Sequence, residues 1–112
     1  MKPVASLANT AIKNTKKTRS DRPKLIIELS KNGFDQITRG IEHFTQYSTE
    51  STFVFDLQAG RGRSEFLLSY LTHEERENII SNIIKQLISE EFAVVRKHAL
   101  PVDELHISWK VD

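Results

Sequence analysis

The sequence predicts an α+β fold: a small antiparallel or mixed sheet of three or four strands with two helices on one face, a two-layer sandwich. Three observations predict it. Ile79, Ile80, Ile83, Ile84, Leu87 and Ile88 recur with the period of an amphipathic helix. Leu105, Ile107, Trp109 and Val111 alternate with His106, Ser108 and Lys110, the period-2 pattern of a half-buried strand. Phe53, Phe55 and Leu57 alternate in the same way with Val54 and Asp56.

The first segment, residues 1–22, reads as a basic arm. Residues 1–24 carry Lys2, Lys13, Lys16, Lys17, Arg19, Arg22 and Lys24 against Asp21 alone, 7 − 1 = +6, while the remaining 88 residues carry 9 basic and 14 acidic side chains, −5. The net charge of +1 thus hides a basic arm joined to an acidic body, a layout that favours interaction. Leu7, Ala8, Ala11 and Ile12 sit at helical spacing and suit one short amphipathic turn, too few apolar groups for an independent helix.

Residues 23–112 form a single α+β domain. A helix is expected from Asp21 to about Gln46, because Ile26, Leu29, Gly33, Ile37, Ile41 and Phe44 step by three or four. Asp21 caps it and Pro23 falls in its first turn, where a missing N–H costs nothing. Gly33 and Gly40 lie near one face, where another backbone would approach closely. Two interior glycines each cost about 1 kcal/mol relative to Ala. A rival reading therefore makes Lys24–Leu29 a strand and gives a ferredoxin-like plait with an added edge strand.

Tyr47–Thr52 is a polar connector into the Phe53 strand. Gln58–Ser64, with Gly60 and Gly62, is a loop, and Glu65–Leu71 is either a second hairpin strand or an extended lead-in to Thr72. Thr72 and Glu75 have the spacing of a capping box, and Glu74, Glu75 and Glu77 suit the positive end of a helix dipole. Phe92–Val95 is a strand, and His98–Glu104, containing Pro101, is the loop to the last strand, which pairs antiparallel.

No pattern points to catalysis, so the chain is read as a non-enzyme. It has no cysteine, and His43, His73, His98 and His106 are scattered without metal-ligand spacing. No serine sits in a nucleophile-elbow motif. Neither a metal nor another cofactor is expected, and no small-molecule substrate is evident. No apolar run approaches the ~20 residues of a membrane span, and the N-terminus lacks the apolar core of a signal peptide. Gly60-Arg61-Gly62-Arg63 offers two guanidiniums on a flexible backbone but lacks phosphate-loop spacing.

Candidate partner-binding residues are therefore Lys13, Lys16, Lys17, Arg19 and Arg22 of the arm, Arg61 and Arg63 of the loop, and Trp109, since Trp is enriched at interfaces. The partner is a protein or further copies of this chain. The arm also permits phosphate contacts with nucleic acid, although it lacks interleaved aromatics for base stacking.

Three stretches carry a resemblance: Arg39-Gly40-Ile41 through Ser51-Thr52-Phe53, Leu71-Thr72-His73-Glu74-Glu75-Arg76, and Leu105-His106-Ile107-Ser108-Trp109. Over about residues 25–110 the chain resembles small uncharacterised tailed-phage proteins with a helix–strand–helix–strand–strand order and a terminal Ile-Ser-Trp strand. It departs from them in its basic arm, and in Glu90-Glu91-Phe92, where they tend to have Gly and an aromatic. The resemblance implies a phage protein located in the virion or the host cytoplasm, and carries over no catalytic residue. The expected role is a virion or assembly component anchored by its arm. The alternative is an early protein that binds and modulates a host protein or nucleic acid.

Overall fold

Helix α1 (Val4–Tyr47) is 44 residues long, about 66 Å at the 1.5 Å rise of an α-helix. It dominates a computed structural model that describes residues 4–58, 66–68, 70–99 and 101–111, with only the backbone described at 4–6 and 18–20. The helix does not begin at Asp21, as its capping pattern suggested, but runs unbroken through Pro23. An interior proline costs about 3 kcal/mol or more, because it removes one N–H and crowds the preceding turn. Helix-forming Leu7, Ala8 and Ala11 support the N-terminal side, and Leu25, Ile26 and Leu29 pack into the core just beyond the proline. The Lys24–Leu29 strand, and with it the ferredoxin-like alternative, is excluded: those residues lie within α1.

The order continues with β1 (Thr52–Asp56), α2 (His73–Ser89), β2 (Ala93–Ala99) and β3 (Val102–Ser108). The strands form one antiparallel sheet in the order β1-β3-β2. Phe53 pairs with Ile107 and Phe55 with Leu105 on one side, and Val94 pairs with Ile107 on the other. This register puts Phe55, Leu105 and Ile107 on the buried face and Val54 and Val95 on the exposed one. Ile37 and Ile41 of α1 join Ile79, Ile80, Ile83 and Leu87 of α2 in the same core, so both helices cover one face of the sheet. The class is α+β, as the patterns required.

Three differences from expectation are local. The β2–β3 connection is far tighter than a loop from His98 to Glu104, because Ala99 already pairs with Val102. β3 accordingly starts at Val102 and ends at Ser108; the Trp109 N–H extends the ladder by one bond to the Ser51 carbonyl at 3.1 Å. Between β1 and α2, Phe66–Leu68 form a turn rather than a strand, and bury Phe66 and Leu67.

Gly33 is where α1 meets its neighbours most closely. A Cβ there would lie 2.5 Å from Ile83 Cδ1 and 2.8 Å from the Phe66 ring. Side chains, not a second backbone, fill the space the glycine leaves. Beside it, the buried Ser30 hydroxyl donates to the Ile26 carbonyl at 2.7 Å and accepts from Asn82 Nδ2 at 3.2 Å, linking α1 to α2.

The principal extents are 72 × 28 × 23 Å and the radius of gyration is 18.5 Å. A compact chain of this length would have a radius near 13 Å. The excess comes from α1, whose N-terminal part projects beyond the body.

Candidate functional site

Every described side chain from Leu7 to Lys17 is exposed. The basic arm is therefore a projecting helical rod. Leu7, Ala8, Ala11 and Ile12 fall on one side by their spacing of three and four, and Leu7 remains 78% exposed and Ile12 52%. Lys13, Lys17, Lys24 and Lys31, spaced 4, 7 and 7 residues apart, run along the opposite side, with Lys16 on the flank. Asp21, Glu28 and Asp35 each follow one of these lysines by four residues. The row is thus most purely positive at its N-terminal end.

Arg22 forms the root of the arm. Its Nε lies 2.8 Å from Glu75 Oε2, and a terminal nitrogen donates to Glu75 Oε1 at 2.8 Å. The guanidinium carbon stands 5.5 Å from the centre of the Tyr70 ring. Glu75 is also half of the capping box: it accepts from the Thr72 N–H at 3.0 Å, while its own N–H donates to Thr72 Oγ1 at 3.1 Å. The Thr72 N–H first, and Arg22 after it, hold the Glu75 carboxyl below its ordinary pKa, against opposing desolvation. Arg22 is thus committed within the chain, tying the helix junction rather than extending the basic row. The Arg19 side chain and the Gly60–Arg63 loop, with Arg61 and Arg63, lie outside the described residues.

Trp109 stands at the opposite end of the body. Its ring is half-buried and meets Phe44 and Phe92 edge-on, with centroids 6.4 and 6.1 Å away. Such pairs favour this T-shaped geometry. The indole is both core and surface, because it lines an open groove of about 810 Å³ with Glu90, Glu91, Phe92 and Lys110. A second groove, of about 420 Å³, is lined by Phe34, Ile41, Glu42, Glu90 and Phe92. Glu90 and Phe92 border both grooves.

The end of α2 shapes this region. The Phe92 N–H bonds the Leu87 carbonyl at 3.1 Å and the Glu91 N–H bonds that of Ile88 at 3.0 Å, the two bonds of a Schellman motif. Glu91 occupies its left-handed position with φ 70°, where glycine is usual. The last turn of α2 contains no basic residue, so the negative end of the helix dipole carries Glu90 and Glu91 with no local compensation.

Sequence reasoning missed Arg96. It sits on the helix-facing side of β2 and donates Nε to Asp103 Oδ1 and a terminal nitrogen to Asp103 Oδ2, both at 2.9 Å. Its two terminal nitrogens also grip Glu77 of α2. His73 Nε2 approaches Glu77 at 3.8 Å, and His98 Nε2 approaches Asp103 at 3.9 Å. Bonds to Asp103 first, then Glu77, raise the Arg96 pKa; the Arg96 bond is the main cause lowering that of Glu77. One guanidinium thereby fastens α2 to the β2–β3 hairpin. The available signal was a cation at an inward position of an alternating strand with Asp103 across a hairpin.

Among the described residues, no cluster of three or more His, Asp or Glu side chains is arranged to hold a metal ion. No helix among them is long and apolar enough to cross a membrane. No protein-family model, curated protein or solved structure matches the chain.

Proposed function

We propose that this chain is a non-enzymatic phage protein that acts by protein–protein contact, as a virion or assembly component held by its arm. The observation that carries the contact role is the projecting part of α1: an exposed helix with an apolar stripe on one side and lysines on the other. Ordinary solvated helices of a small domain bury their apolar stripe against their own core. Here the stripe at Leu7, Ala8, Ala11 and Ile12 extends past the body. The phage setting rests on the resemblance of residues 25–110 alone.

The early-protein reading would use the lysine row on nucleic acid. Asp21 and Glu28, four residues after Lys17 and Lys24, weigh against it by placing carboxylates beside the row. The test is particle incorporation of a Lys13/Lys16/Lys17→Glu variant. The variant should fold as the wild type by circular dichroism and be lost from purified particles. Normal incorporation would refute an arm-held virion role. Absence of the wild-type chain from particles, with abundance in the infected cell, would favour the host-directed alternative.

A further inference from the structure

We propose that the arm's partner is the aromatic-floored, acidic end of a second copy of this chain, so that molecules join arm to groove. This rests on the contact role proposed above and deepens it by naming the partner. The two surfaces lie at opposite ends of one molecule. The receiving end presents Phe92 and Trp109 as an apolar floor, with Glu42, Glu90 and Glu91 at its rim and Lys110 the one cation among the lining residues. None of the three glutamates forms an ion pair within the described residues. The donating end presents Leu7, Ala8, Ala11 and Ile12 for the floor, and Lys13 and Lys16 for the rim. Long lysine stems can lie along apolar surface while their ammonium groups reach outward.

The chain cannot satisfy itself in this way. Ile12 of the arm and Thr38, which also lines the second groove, belong to one continuous helix and are 26 residues apart, about 39 Å at 1.5 Å per residue. An arm therefore reaches only a neighbour's groove. Arm-to-arm pairing would not bring the acidic rim of Glu42, Glu90 and Glu91 to the lysines. Because arm and groove are different surfaces, the contact is heterologous: an open series keeps one arm and one groove free at its ends, and growth stops only where the series closes into a ring.

The experiment is sedimentation velocity on the full chain over a concentration series, at about 0.05 M and about 0.5 M salt, which brackets the screening of exposed charge pairs. The wild type should rise with concentration from 12.9 kDa past the dimer mass, and fall back at high salt. An arm variant, Leu7→Glu/Ile12→Glu, and a groove variant, Glu90→Lys/Glu91→Lys, should each remain at monomer mass. Their equimolar mixture should form a complex that stops at 2 × 12.9 = 25.8 kDa, because only one arm and one groove remain intact between them. All of these substitutions fall at exposed positions, and circular dichroism checks that each variant is folded. A wild type that stays monomeric throughout, or an arm or groove variant that still grows alone, would overturn the proposal. A monomeric chain that nevertheless enters particles through its lysines would overturn this inference and leave the proposed function standing.

Discussion

Replacing Glu91 by glycine should stabilise the body, and the size of the gain follows from the end of α2. Glu91 holds φ 70° at the Schellman position, a conformation costing a side chain roughly 1–2 kcal/mol. Removing its charge from the negative end of the helix dipole adds about 0.3–1 kcal/mol. The greater freedom of glycine in the unfolded chain subtracts about 0.4–1 kcal/mol. The net expectation is about 1 kcal/mol of added stability. For 112 residues the entropy of unfolding is about 0.24 kcal/mol/K, so the Tm should rise by about 4 °C. Urea unfolding of Glu91→Gly and Glu91→Ala separates the causes, since alanine removes the charge but keeps the Cβ. Glycine should exceed alanine by about 0.5–1 kcal/mol at an unchanged m-value. If alanine stabilises as much as glycine, the backbone argument is wrong and only the charge matters.

Three other substitutions test how the body is fastened. Arg96→Met should cost about 1–2 kcal/mol in urea unfolding, less than a fully buried ion pair because the network is part-exposed. The same variant should flatten the acid limb of the stability curve. Glu77 has a lowered folded pKa, chiefly through Arg96, so its stabilisation is present above the unperturbed value of 4.5 and is lost as pH falls through the lower folded value. Midpoints measured from pH 6 down to about pH 3 should converge for wild type and variant. Gly33→Ala should destabilise by about 1–2 kcal/mol despite a helix-propensity gain of about 1, because the new Cβ overlaps Ile83 and Phe66 inside the core. Gly40→Ala should be nearly neutral by the same assay, since its Cβ meets mainly Phe53 Cζ at 2.9 Å and that part-exposed ring can tilt.

The legible parts of the sequence were those where one physical cause acts alone. Thr72 and Glu75 announce a capping box, and both hydrogen bonds of that box are present. Period-2 alternation through Phe53–Leu57 and Leu105–Ile107 placed β1 and the centre of β3. Where two causes competed, local reasoning chose wrongly. Pro23 after Asp21 reads as a helix start, yet helix-forming residues before it and core packing of Leu25, Ile26 and Leu29 after it carry α1 through. His98–Glu104 reads as a loop because it contains Pro101. Asp103 is instead drawn inward by Arg96, and the strand pairing extends to Ala99–Val102. The candidate site divided in the same way. The charge split and the exposed apolar residues of the arm could be read from composition and spacing. The commitment of Arg22 to Glu75, 53 residues away, could not, because it depends on where two helices cross.

The continuity of α1 turns chain length into phase. A flexible tether between arm and body would absorb an added or lost residue as slack. Within one helix, each such change turns the arm by about 100° and moves it by about 1.5 Å relative to the body. One extra residue between Thr18 and Arg22 would swing the Leu7–Ile12 stripe a quarter-turn or more away from its present bearing. Seven would return it to within about 20°, roughly 10 Å further out. Length variation in this helix should therefore be tolerated in steps of seven, and the arm should withstand changes in side chain more readily than changes in count.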